Sequence, residues 1–334
     1  MKVPRRTGWP FWCFALFMWQ LAASSMTVED SKEYRFSGLA NSRERVFTAT
    51  PEVSVRTELE QLQRQNGLTI GLFNYKGIGV LLFRKRSFAY RNLLFDRNSS
   101  TGAISRDGTE IAVSQLRSKP SSVVVIRPDG SSLREYSGIR ANSLMCWSYD
   151  NSKLVVETSD PQIRLLDLKS KLVQDLDLAS DVLLTSQCWS PDNSQIVYES
   201  RDENVAVYDL GKGNSTKLVK GTEPTWSPDR NWIAYRDGDT YYAIHPSGEG
   251  RKKLFHKRRA VSGLYWSPDS RFVAYVHQDF FALDVEFYHL MVRRLEDSSE
   301  VWVVDGEDAG AGYNYQWVTN PQLLEQVESG ATSH

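Results

Sequence analysis

Four short segments in the middle of the chain put an indole, a hydroxyl and a carboxylate at one fixed spacing. They are Cys146-Trp147-Ser148-Tyr149-Asp150, Cys188-Trp189-Ser190-Pro191-Asp192, Thr225-Trp226-Ser227-Pro228-Asp229 and Tyr265-Trp266-Ser267-Pro268-Asp269. Such residue types lend themselves to two kinds of chemistry: carboxylates ligate cations, and indoles stack on sugar rings. A further indole, Trp317, follows in Gln316-Trp317-Val318-Thr319-Asn320-Pro321. Strict recurrence argues for a structural role instead. One Asp per copy sets the carboxylates far apart, and an Asp beside a Pro fits a tight turn whose amides it accepts. One Trp per copy fits an indole filling the wedge between neighbouring units. Trp147, Trp189, Trp226, Trp266 and Trp317, with Asp150, Asp192, Asp229 and Asp269, are therefore expected to build the fold.

No catalytic constellation stands out elsewhere. A Gly-x-Ser-x-Gly nucleophile elbow is absent, and so is the Ser-x-Asp-x-Gly-x-Thr-Trp repeat of sialidases. Of His245, His256, His277, His289 and His334, none has metal-site spacing with a second ligand. The expectation is no catalytic residue, no metal and no cofactor. A metal-dependent polysaccharide lyase, or another enzyme working in a central funnel, is the competing reading. Cys146 and Cys188 precede equivalent Trp-Ser pairs. They are either two small buried residues or the ends of a bridge between adjacent strands.

The elements that must position these residues follow from the period. Trp147, Trp189, Trp226 and Trp266 are 42, 37 and 40 residues apart, the size of one four-stranded propeller blade. After each Asp comes an apolar run such as Gln195-Ile196-Val197-Tyr198 or Phe272-Val273-Ala274-Tyr275, so each unit opens with a hairpin. Weaker openings lie at Ala103-Ile104-Ser105-Arg106-Asp107-Gly108 and at Trp317 running into Leu323-Leu324, which makes six. The step from Trp266 to Trp317 is 51 residues and implies an insertion, placed at 278–299. The fold class expected is all-β, a six-bladed propeller, with seven blades as the alternative. A last blade left half built would expose unpaired strand edges. Runs at 78–83 and 88–95 are expected to complete it and close the ring.

Lys2, Arg5 and Arg6, an apolar run from Trp9 to Leu21, and the small residues Ala22, Ala23, Ser24 and Ser25 read as an export signal. The run is short for a bilayer span. The layout expected is a signal at 1–25, an extension at 26–66 with a short helix at 55–65, closing strands at 67–102, repeats at 103–324 and a tail at 325–334. Forty Lys plus Arg against 41 Asp plus Glu leave a net charge of −1, no field for nucleic acid. No stable membrane span is expected in the mature chain, which is placed in the periplasm or secreted.

The Trp-Ser-Pro-Asp-x-x-x-[Ile/Phe]-[Ala/Val]-Tyr copies resemble the repeats of the TolB-like, or WD-like, propellers across residues 103–324. Similar repeats build the propellers of the prolyl oligopeptidase and dipeptidyl peptidase families. The TolB resemblance implies a six-bladed ring and a scaffold that binds a protein or peptide partner at a mouth of its funnel. The loops between blades bring Arg140, Asn142, Asp181, Glu223, Arg258 and Arg259 to one mouth, next to the basic run Lys252-Lys253-Leu254-Phe255-His256-Lys257-Arg258-Arg259. That run is either a solvated strand and loop or a groove for an anionic protein or glycan, with Arg forks making paired contacts. The function expected is an exported non-catalytic scaffold; the alternatives are the funnel enzyme and the propeller of a peptidase whose catalytic domain is encoded elsewhere.

Overall fold

The computed structural model describes residues 51–74, 77–91, 101–115, 121–131, 134–158, 162–178, 182–260, 262–281, 285–305 and 314–330. The readings placed on residues 1–50, on 92–95 of the second closing run, on Asp181 and on His334 lie outside them. Helix α1 (Pro51–Asn66) begins with Pro at its first position, where no amide donor is needed, and buries Val55 and Leu59 one turn apart. It is longer than the segment expected at 55–65. Gly67, at φ +70°, ends it by donating its N–H to the Gln63 carbonyl at 3.0 Å. A Cβ there would meet Pro321 N at 2.3 Å, so glycine is also required by close approach.

Strands β1 (Leu68–Asn74), β2 (Gly77–Leu82) and β3 (Ser87–Arg91) come next, before any repeat. The first blade is β4 (Gly102–Ile104), β5 (Ile111–Gln115), β6 (Ser122–Ile126) and β7 (Arg134–Ser137). The second is β8 (Ala141–Trp147), β9 (Lys153–Thr158), β10 (Ile163–Asp167) and β11 (Val173–Leu176). In the third, β12 (Gln195–Glu199), β13 (Asn204–Asp209) and β14 (Asn214–Lys220) pair, and the inner strand is reduced to isolated pairings of Leu183 with Glu199 and Trp189 with Ile196. The fourth is β15 (Thr222–Trp226), β16 (Ile233–Asp237), β17 (Thr240–Ile244) and β18 (Lys252–His256). The fifth is β19 (Tyr265–Trp266), β20 (Phe272–Phe281), β21 (Val285–Arg294) and β22 (Glu300–Asp305). Its middle strands run ten residues each, so the extra length forms an extended hairpin.

The last repeat contributes only β23 (Asn314–Thr319), which pairs antiparallel with β1 from Leu68↔Thr319 to Phe73↔Asn314. The sixth blade is thus one C-terminal strand and three N-terminal ones, and the ring is closed by early strands as expected. The division differs from the two-and-two arrangement read from the sequence. Leu323 and Leu324 belong to helix α2 (Pro321–Gly330), because Pro321 cannot donate to a ladder and Asn320 Oδ1 caps the Leu323 N–H at 3.1 Å. Leu323 and Val327, four residues apart, are fully buried. The place of the missing strand goes to β1, whose Leu68, Ile70 and Leu72 alternate inward.

There is no single core. Six apolar clusters each fill one blade-to-blade interface, for example Val197, Val205 and Val207 of the third blade against Trp226, Ile233 and Tyr235 of the fourth. Both interfaces of the closing blade include a helix, with Val55 and Leu59 on one side and Leu323 and Val327 on the other. Glu58 of α1 also takes Arg294 Nη1 at 2.7 Å and pairs with Arg271.

One hydrogen-bonded turn recurs in five blades. In the third, buried Ser190 donates its hydroxyl to Asp192 Oδ1 at 2.6 Å and accepts the Gln195 N–H at 2.9 Å, while Asp192 also takes the Ser194 N–H. Ser105, Ser148, Ser227 and Ser267 repeat the pattern. Behind the turns of the second to fifth blades, and at the same place in the closing strand, an indole packs toward the inner strand of the preceding blade. Trp147 Nε1 donates to Ala103 O, Trp189 to Cys146 O, Trp266 to Thr225 Oγ1 and Trp317 to Tyr265 O, all at 2.9–3.1 Å. Trp226 is buried in the same wedge, but its Nε1 has no partner.

Three outcomes follow from this construction. Removing residues 67–91 is expected to abolish cooperative thermal unfolding, since it takes β1, β2 and β3 from the closing blade; an unchanged calorimetric transition would contradict the closure. W189F, which removes the indole donor from the buried Cys146 carbonyl, is expected to cost about 1 kcal/mol more than W226F, whose indole has no partner to lose, measured by urea denaturation. The Ser190 hydroxyl, followed by Ser194, holds the Asp192 carboxyl below the usual range. At Asp150 and Asp229 burial pushes upward, but hydrogen bonds from Ser148 and Ser227 outweigh it. A lowered folded value stabilises above the unfolded pKa of about 4, and the stabilisation is lost as pH falls through the folded value. The melting midpoint should therefore drop below about pH 4, and drop less in a variant with Asn at all three positions.

Candidate functional site

In the first five blades the innermost segment enters from an interblade loop and leaves through a Ser-x-Asp turn, so the two kinds of connection lie at opposite mouths of the ring. The turn mouth holds a cavity of about 290 Å³, lined by Arg106, Asp107, Tyr149, Asn151, Pro228, Trp266, Pro268, Gln316, Trp317 and Thr319. Its rim is one repeat position seen five times. The residue after the turn serine is Arg106 in the first blade, Tyr149 in the second, Pro228 in the fourth and Pro268 in the fifth, and Thr319 takes that place in the closing strand. Two adjacent blades thus carry a guanidinium and a phenol where the repeat prefers proline.

These two side chains are locked together. The Arg106 guanidinium lies over the Tyr149 ring, 3.6 Å from its centroid. Their backbone amides are held by the asparagines of the next turns: Asn151 Oδ1 accepts the Arg106 N–H at 3.1 Å, and Asn193 Oδ1 accepts the Tyr149 N–H at 2.7 Å. Both asparagines adopt left-handed backbone, at φ 55° and 60°, which Asn tolerates better than most residues. Arg106 Nε and Nη2 and Tyr149 Oη are buried together, with the Arg106 side chain hydrogen-bonding to the phenol. Burial raises the Tyr149 pKa, against the pull of the Arg106 charge, so the phenol stays neutral.

Further along the axis the ring is bridged by amides. Gln187 of the third blade donates Nε2 to the Trp266 carbonyl of the fifth at 3.0 Å and accepts its N–H at 2.7 Å. Asn314 Nδ2 reaches Gly102 O of the first blade at 3.1 Å. Cys146 and Cys188 sit near this level as buried free thiols, the Cys188 N–H donating to Cys146 Sγ at 3.1 Å.

The residues expected at a binding mouth lie at the other end. Arg140, Arg258 and Arg259 are exposed there, while Asp181 and the Asn142 side chain lie outside the described residues. Glu223 is half-buried, ion-paired to Arg236 Nε at 2.9 Å, and its N–H is taken by Glu199. Burial pushes its carboxyl up, opposed by Arg236. In the basic run, Lys252 lies over the Trp232 ring at 3.5 Å and Lys257 pairs with Glu300 at 2.6 Å, so those charges serve the fold. On the extended hairpin His277 and His289 face each other across the ladder, and Asp279 meets both Nε2 atoms at 3.2 and 3.3 Å. Among the described residues no group of three or more His, Cys, Asp or Glu is arranged to hold a metal. No helix among them is long and apolar enough to cross a membrane. Reading along the sequence for charge runs missed Arg106 and Tyr149; the signal that finds them is departure from the repeat's own proline.

No protein-family profile and no curated protein matches the chain. Among solved structures it is similar to TolB from Acinetobacter baumannii, with a TM-score of 0.55 and 16% identity over 76% of this chain and 66% of that one. It is also similar to the putative TolB from Agrobacterium tumefaciens, with a TM-score of 0.55 and 15% identity over 75% of this chain and 98% of that one. At such identities the likeness is one of architecture. The chain carries the TolB-like fold, a six-bladed β-propeller closed by its N-terminal strands.

Proposed function

We propose that the chain is an exported, non-catalytic scaffold that binds a protein or peptide partner at the axial mouth formed by its Ser-x-Asp turns. The cavity there carries the reading. Its volume suits one or two inserted side chains or a chain end, below the several hundred Å³ of most small-molecule sites. The walls combine apolar faces, Trp266, Trp317, Pro228 and Pro268, with a few fixed polar groups. Arg106, Tyr149, Pro228 and Pro268 ride on turns held by their own hydrogen bonds, so little ordering entropy is lost when a partner docks. Export is part of the same proposal and rests on the basic start, the apolar run and the small residues that follow it. A protein partner is also what the resemblance to TolB-like scaffolds implies.

The test compares both mouths. The purified protein is cross-linked to the envelope fraction and its captured partners compared with those of T319W, which fills the cavity from an exposed position, and of R258E/R259E at the opposite mouth. Loss of capture in T319W with retention in R258E/R259E is expected, both variants melting like the parent. The reverse pattern would move the site to the interblade loops, and no specific capture by the parent would overturn the reading.

A further inference from the structure

We propose that Cys146 and Cys188 are a redox pair that closes into a disulfide joining the second blade to the third. The repeat position just before Ile104 and the five indoles is filled by Ala103, Cys146, Cys188, Thr225, Tyr265 and Gln316, so thiols occupy it in two neighbouring blades alone. Both are fully buried in one blade-to-blade cluster with Trp189 and Ile196. Cys146 Sγ accepts the Cys188 N–H at 3.1 Å, the two thiols hydrogen-bond to each other, and the Cys146 thiol donates to Ser186 O at 3.2 Å. A sulfur that touches both the amide and the thiol of another cysteine stands beside that residue's Cβ, which is the placement a disulfide requires. The bond would fasten the innermost segment of the third blade, whose own ladder is reduced to two isolated pairings.

The surroundings divide the pair into an attacking and a resolving thiol. Burial pushes the Cys146 thiol up, but the hydrogen bond from Cys188, the Arg106 charge and the Cys188 and Trp189 amides outweigh it and hold it below the ordinary thiol value. Burial, and then the Cys146 sulfur, push Cys188 well above that value. A cysteine that only fills apolar space feels the upward push alone. The oxidant is a small or protein disulfide, the class of donor that oxidising compartments supply. The Cys146 thiolate attacks one sulfur of the donor, forming a mixed disulfide and expelling a thiolate. Cys188 gives up its proton and attacks Cys146 Sγ, expelling the second. Two S–H bonds are replaced by one S–S bond, and the two electrons and two protons leave with the donor as two thiols.

The test equilibrates the reduced protein in glutathione buffers of rising oxidised share, with urea kept below the unfolding transition so that local opening admits the buffer. Free thiols are then alkylated and the chain is digested with trypsin. Peptides 141–153 and 172–201 are expected to become linked as the dominant form, to separate with dithiothreitol, and never to link in C146S or C188S. Cys13 falls in a different peptide, so its reactions are scored apart. The linked parent is expected to melt about 5 °C above its reduced form, a difference that C146S lacks. Thiols that stay open to alkylation in the most oxidising buffer, glutathione adducts without the linked peptides, or a linked form that melts no higher than the reduced one would each overturn the proposal.

Discussion

The antiparallel pairing of β1 with β23 is the contact on which the rest of the molecule depends. A propeller has no central core; its apolar surface is divided among interfaces, and each blade is buried only if it has neighbours on both sides. Six clusters fill six interfaces here, and two of them exist only because the chain's first strands return to its last. The two helices bracket that seam, each burying residues one turn apart, so the closing blade is clamped by segments from both ends of the described chain.

Around the ring, one local solution is repeated. A serine hydroxyl donates to an aspartate and accepts from the following strand, and an indole reaches back to the preceding blade. Each bond is modest, and the indole bonds of Trp147, Trp189 and Trp266 are buried, where an unmade bond costs more than a made one contributes. The arrangement makes the turn mouth stiff. Against that regular background, Arg106 and Tyr149 are irregular, and the irregularity falls on two adjacent blades that face one cavity. The repeat supplies the rigidity, and departure from the repeat supplies the chemistry.

Much of the fold was legible in the residues because a blade is a local object. The Trp spacing, the Ser-Pro-Asp turns and the apolar runs are short-range signals, and six blades with an N-terminal closure follow from them. The division of the closing blade was not legible in the same way. Leu323-Leu324 reads as strand or helix from its apolar character alone, and Pro321 with Asn320 decided for helix. Leu68–Asn74 then filled the vacant ladder position, a pairing across nearly the whole chain that no local pattern announces.

The candidate site shows the same boundary more sharply. Charge runs led to Arg258 and Arg259 at one mouth, but charge along a chain does not say which ends are already paired. Glu223, Lys252 and Lys257 turned out to have partners within the fold. By itself the sequence determined the repeating unit, its period and the turn that starts each blade, because those depend on residues within a few positions of one another. Only the tertiary structure decided that Arg106 of one blade lies on Tyr149 of the next, over a cavity walled also by Trp266 of the fifth blade and Trp317 of the closing one. Those positions are brought together by circular closure, and the distance between them along the chain carries no trace of it.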